Sequence, residues 1–263
     1  MTTLILLAHQ DDEIGVMHEI AETLARGQKV CCAYLTNGAW AGVSSERRNA
    51  ESRAALARLG VGEGSIRFLG GREGIGDGQL IERLDVALDA LVRLAAEIGD
   101  VERILVHAYE GGHHDHDAAH LLGVTLARRL GITAASRQFP LYRRSERTGR
   151  IAFKAPLPSN GPVERHPIPL PAALGYVAAM RHYPSQLRVM LQLAPHAVRD
   201  LLVDRCQKLQ PLDTRRLTER PNAGTMLYET WGLYTYQRFR QAADAFIAAQ
   251  LNGRASERGT ATG

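Results

Sequence analysis

The sequence predicts an α/β fold: a Rossmann-like, mostly parallel sheet with helices on both faces, plus a C-terminal loop and helical extension. Three observations predict it. Short apolar runs alternate with amphipathic stretches through residues 1–142, the pattern of parallel strands covered by helices on both sides. Two polar clusters, at 9–13 and 113–116, directly follow two of the apolar runs, where open α/β sheets carry their chemistry. The alternation stops after Tyr142, and residues 143–172 are rich in proline without a helical period, so they read as loops.

Thr3–Ala8 is the first predicted strand. Glu13–Arg26 is a helix, because Ile14, Met17, Ile20, Ala21 and Leu24 share one face; Gly27 can end it. Lys29–Leu35 is the second strand. Ser45–Leu59 is a helix with Ser45 as cap and Gly60 as stop. Ser65–Leu69 is a short third strand. Asp77–Ile98 is a long helix facing the core through Ile81, Leu84, Leu88, Leu91 and Ala95. Arg103–His107 is the next strand, and Asp117–Leu130 the next helix. A hairpin is expected at Ile151–Phe153. Helical patterns return at Ala172–His182, Pro184–Leu193 and near 195–203. Met226–Gln250 is aromatic early and helical late, and the small, polar residues 252–263 are expected to be disordered. We read one domain over 1–251, with an α/β core (1–142) and a substrate-shaping extension (143–251).

Composition is that of an ordinary soluble protein, 45% hydrophobic and 23% charged. The net charge of +4 is carried mostly by scattered arginines, with no basic stripe, so no nucleic-acid partner is expected. Cys31, Cys32 and Cys206 offer no disulfide framework, which suits a reducing cytoplasm. Residues 1–8 lack the positive start of a signal peptide, and no apolar run reaches membrane-spanning length. An oligomer is possible.

His9-Gln10-Asp11-Asp12-Glu13 puts one imidazole and three carboxylates at a strand-to-helix junction. Carboxylates at a helix start also serve as caps, but a cap needs no histidine, whereas a metal site wants imidazole and carboxylate together. The second cluster brings histidines at 113, 114, 116 and 120, after Gly111-Gly112. Those glycines let the backbone bend sharply or approach a ligand. His116 and His120 are one helical turn apart with no Glu between them, so a zincin site is excluded. If the two preceding strands are neighbours, a His, an Asp and a second His can bind one divalent ion and leave open positions, the catalytic type of site. A carboxylate and an imidazole remain over for general base and acid.

These clusters resemble the two signature motifs of the PIG-L/LmbE-like zinc-dependent de-N-acetylases. Arg48-x-x-Glu51, Leu59-Gly60 and Tyr183-Pro184-Ser185-Gln186 add weaker matches. Gln10 and His114 stand where the family carries prolines. The resemblance implies Zn2+ held by His9, Asp12 and His116, with Asp11 as general base. It implies His113 as a protonated acid oriented by Asp115, and Arg48 near the sugar. Gln10 is a further candidate for a hydrogen bond to substrate. The implied activity is hydrolysis of an N-acetyl or other N-acyl group from a small amino-sugar conjugate such as an N-acetylglucosaminide. Alternatives are an amidase of the same mechanism on a non-sugar amide and a non-catalytic metal- or nucleotide-binding protein. The first βα turn lacks a Gly-rich phosphate loop, which argues against nucleotide.

Overall fold

The computed structural model describes residues 1–260. Residues 261–263, the end of the tail expected to be disordered, lie outside the described residues. The first half alternates as the periodicity predicts: β1 (Thr2–Leu7), α1 (Met17–Ala25), β2 (Lys29–Tyr34), α2 (Ser45–Arg58), β3 (Ile66–Phe68), α3 (Leu69–Arg72), α4 (Leu84–Ile98), β4 (Val101–His107), α5 (His114–Leu130) and β5 (Arg137–Phe139). β1 is buried along its whole length. Its alternate residues feed two cores. Leu4 and Leu6 pack with α4 and α5, while Ile5 and Leu7 pack with Val16 just before α1, Ile20 of α1 and Leu56 of α2.

Several predicted boundaries move, each for a local reason. The first helix is broken: a 3₁₀ turn spans Asp12–Gly15 and Val16 leaves the helical region before α1 begins. A Cβ on Gly15 would lie 2.9 Å from the Phe139 ring, so this turn sits tightly against the sheet. Ser44, not Ser45, caps α2 by accepting from Arg47 N at 3.3 Å. The helix predicted from Asp77 starts at Leu84, after a 3₁₀ turn over Leu80–Arg83. Asp77 stays in a loop whose Gly78 and Leu80 N–H groups donate to Asp115. α5 starts three residues before Asp117, because the His113 ring caps it.

The second half holds β6 (Tyr142–Arg144), β7 (Ile151–Phe153), β8 (Glu164–Pro167), α6 (Leu170–Ala179), α7 (Leu187–Arg199), β9 (Cys206–Pro211), α8 (Leu227–Thr230) and α9 (Tyr236–Thr260). β6 and β7 form the expected hairpin. The main sheet has the order β3-β2-β1-β4-β5-β9-β8. Pairs from β3 to β5 are parallel; β5–β9 and β9–β8 are antiparallel. The extension is therefore stitched into the sheet by a strand absent from the sequence reading. Strand order reverses at β1–β4, which opens a crevice above their C-terminal ends. No helix among the described residues is long and apolar enough to cross a membrane.

Candidate active site

β1 and β4 lie side by side with Leu6 opposite Val106, so the loops after them meet over the crevice. His9, Asp12 and His116 converge there, with one ligand atom from each within 4.8 Å of the others. Asp12 Oδ1 is 3.2 Å from His116 Nε2, and Asp12 Oδ2 is 3.6 Å from His9 Nδ1. The His9 backbone N–H donates to the same Asp12 oxygen at 2.6 Å. All three residues are buried. Both ring nitrogens of His116 lack a hydrogen-bond partner, although its Nε2 faces a carboxylate. Buried polar atoms are nearly always satisfied, so this orphaned imidazole beside Asp12 fits a cation held between them. Two nitrogens and one carboxylate are the donor set of an open, zinc-type site.

Charge supports that fit. Burial alone would raise the Asp12 pKa, but His116 and His107 together hold it well below the ordinary value. His107, at the end of β4, puts Nε2 3.1 Å from Asp12 Oδ2 and stacks on His116 with centroids 4.0 Å apart. The sequence reading missed it, although a histidine closing a strand beside the first motif was a usable signal. His120 packs in the interior: it donates from Nδ1 to His107 O at 2.9 Å and stacks on Tyr109. Asp77 was also missed. It lies 3.3 Å from His9 Nε2 and 3.3 Å from Arg48 Nη1, and its flanking glycines, Gly76 and Gly78, were the signal for a loop there.

Asp11 faces a different environment. Its φ of 133° is a strained value for a residue with a side chain. Its N–H donates to Glu13 at 3.0 Å, and Glu13 in turn accepts from the Tyr183 hydroxyl at 2.8 Å. Burial pushes the Asp11 carboxyl up to about 7, against the pull of Arg48 and with the push of Asp12. Arg48 sits 3.2 Å from Asp11 Oδ1 and borders the cavity. Most of its donors are spent on the protein: Nη2 on Gln10 O at 2.6 Å, Nη1 on Gly38 O at 2.8 Å. Gln10 does not line the cavity. Its amide nitrogen donates to Asn49 Oδ1 at 2.7 Å and to Asn37 O at 3.3 Å. Its side chain thus ties the first loop to α2 and to the loop before it instead of lining the cavity.

The second motif is wired differently from the expectation. The Asp115 carboxylate does not orient His113. It bonds His9 Nε2 at 3.0 Å and accepts Gly78 N at 2.6 Å and Leu80 N at 3.0 Å. His113 is instead fixed as the N-cap of α5, with Nδ1 accepting the Asp115 N–H at 3.2 Å. Burial and the neighbouring His9 hold its pKa well below the ordinary value. His113 is therefore a neutral imidazole carrying its proton on Nε2, not an imidazolium. Gly112 explains the close turn before it: a Cβ there would lie 1.9 Å from Tyr142 O. The glycine permits approach to backbone, not to a ligand. His114 stacks on Tyr234 at 4.7 Å, with Nε2 2.9 Å from Gly78 O, so the loop keeps its shape without a proline.

His9, Asp11, Asp12, Arg48 and His113 border a cavity of about 730 Å3. Residues 4–127 match the family model PIG-L, described as GlcNAc-PI de-N-acetylase. This segment is a PIG-L domain. The chain is also similar in fold to solved deacetylases. The A40926 pseudoaglycone deacetylase is 23% identical, with 80% of this chain and 96% of that chain covered and a TM-score of 0.58. A zinc-inhibited form of teicoplanin deacetylase is 14% identical, covering 80% and 97%, with a TM-score of 0.60. The N,N'-diacetylchitobiose deacetylase of Pyrococcus horikoshii is 15% identical, covering 80% and 82%, with a TM-score of 0.57. At these identities the likeness is one of fold. No curated protein matches the chain.

Proposed function

We propose that the protein is a zinc-dependent hydrolase that removes an N-acetyl or other N-acyl group from a 2-amino-sugar conjugate. The observation that carries this reading is the convergence of buried His9, Asp12 and His116, with one ligand atom of each within 4.8 Å of the others, where His9 and Asp12 border one cavity with Asp11. The PIG-L match and the deacetylase folds support the reaction class.

His9, Asp12 and His116 would hold the ion. When bound, the ion would acidify water and polarise the amide carbonyl. Asp11, with its carboxyl near 7, accepts the proton of the attacking water, since a base works best when its pKa lies near the operating pH. Its strained backbone and the clamp from Arg48 hold it toward the cavity. Neutral His113 donates an Nε2–H hydrogen bond to the developing oxyanion or to the leaving nitrogen. Asp115 and Asp77 hold His9 in place, as carboxylates commonly fix metal-binding imidazoles.

The test is metal analysis of purified protein followed by primary-amine release from a panel of N-acetylglucosaminides. We expect one divalent ion per chain and stoichiometric acetate and amine. Turnover of simple peptides or other amides with an inert sugar panel would leave the mechanism and remove the amino-sugar reading.

A further inference from the structure

The cavity has two unlike sets of lining residues. One is His9 and Asp12 with Asp11, Arg48 and His113. The other is Tyr142, Ile151, Phe153, Leu193, Trp231 and Leu233, from the β6–β7 hairpin, α7 and the segment after α8. The chain has two tryptophans, and both border this cavity, Trp40 at 55% and Trp231 at 46% exposure. Folding does not need them there, because half-exposed indoles leave much of their apolar surface in water. The wall also runs without interruption into the site. The Tyr142 ring lies 5.2 Å from His116 and 5.9 Å from Trp231. A pocket of this size with apolar walls and a few convergent polar groups is built for a ligand with the same division.

We infer that the substrate carries a bulky apolar group, aliphatic or aromatic, which lies along this wall while its amide sits beside Asp11 and His113. The inference rests on the N-deacylase reading and names the class of conjugate. A free amino sugar would leave the wall wet. The apolar group can hang on the aglycone or be the acyl chain itself, because both start within one sugar's width of the amide nitrogen.

Two substrate series distinguish these sources. One is methyl, butyl and octyl N-acetyl-β-glucosaminide; the other is N-acetyl-, N-butyryl- and N-octanoylglucosamine. In one series kcat/KM should rise with length, by about fourfold per methylene buried. Trp231→Ala and Phe153→Ala should each lose more than tenfold on the octyl or octanoyl member relative to the shortest member. Independently of turnover, octyl glucoside, which has no amide, should shift tryptophan emission to shorter wavelength below its micelle threshold, and do so more weakly in Trp231→Ala. Turnover that is flat or falling with length in both series overturns the inference and leaves the deacylase reading intact. An emission shift without turnover of any member keeps the apolar arm and removes the deacylase reading. Neither an emission shift nor turnover removes both.

Discussion

Asp11 and Asp12 are adjacent carboxylates held in opposite electrostatic states. Two imidazoles face Asp12 and keep it ionised, whereas burial and the charge of Asp12 lift Asp11 to about 7. The strained turn at Asp11 sends the two side chains to different partners, Arg48 for one and His116 for the other. Asp12→Ala should therefore lose zinc and activity together. Asp11→Asn keeps its size but cannot take the proton; it should bind one equivalent of metal while kcat falls by roughly a hundredfold or more. Metal content and kcat measured on the same preparations decide this. Near-normal turnover in Asp11→Asn, or loss of its zinc, would overturn the assignment. Both motifs were legible because chemistry-bearing residues of one kind were bunched at strand ends. His107 and Asp77 were not, because each stands alone in its segment and acquires its role only from a neighbour about 70 or more residues away in sequence, Asp12 or His9.

At the scale of elements, β9 shows how a strand hides. Its sequence, Cys-Gln-Lys-Leu-Gln-Pro, is mostly polar, yet it is buried from Cys206 to Gln210. Each polar side chain is answered across the fold: Gln207 donates to Gly15 O at 3.0 Å, and Gln210 to Leu157 O and Gly161 O at 2.7 Å. Lys208 Nζ and Lys154 Nζ both lie 3.0 Å from the Asp200 carboxylate, one on each oxygen. That cluster joins β9, the end of β7 and the turn after α7, and it is buried throughout. Removing the shared anion would strand the Lys154 ammonium out of water and leave Lys208 with the Asp204 carboxylate alone, at 3.4 Å. Asp200→Ala should lose about 3–5 kcal/mol in denaturant titration, with an unchanged slope. A loss below about 0.5 kcal/mol, the usual range of a surface change, would show that the cluster does not hold the extension to the sheet.

At the scale of the molecule, Glu110 ties the loop after β4 to Leu141, at the end of the α/β core where the extension begins. Its Oε1 accepts the Leu141 N–H at 2.7 Å and its Oε2 is buried without a partner. Burial raises its pKa from 4.5 to about 7. The folded state thus binds more protons than the unfolded state between those values, and stability falls as pH rises through that window. The contribution is complete below pH 4.5, and about 3 kcal/mol of it is lost by pH 7. Glu110→Gln keeps an oxygen for Leu141 and removes the titration. Its unfolding free energy should match the parent near pH 4.5 and exceed it at pH 7.5. Asp117, raised to about 8 by burial and further by the Glu110 charge, still titrates in the variant, so the difference between the two slopes reports Glu110 together with its push on Asp117. Equal pH slopes in parent and variant would refute the linkage. We also expect a single cooperative transition for residues 1–251, because β5 and β9 share a sheet across the proposed core–extension boundary.

The sequence by itself determined the parallel half of this protein and the inventory of its site. Periodicity is a local property, and an apolar run followed by His9 to Glu13 or by His113 to His116 needs no distant residue to be recognised. Tertiary structure alone decided three things. It paired β1 with β4, which turned two clusters into one site. It sent the Asp115 carboxylate to His9 and left His113 a neutral cap of α5. It added β8 and β9 to the sheet and turned Gln10 away from the cavity, since a polar side chain reads as exposed until a partner far along the chain accepts its hydrogen bond.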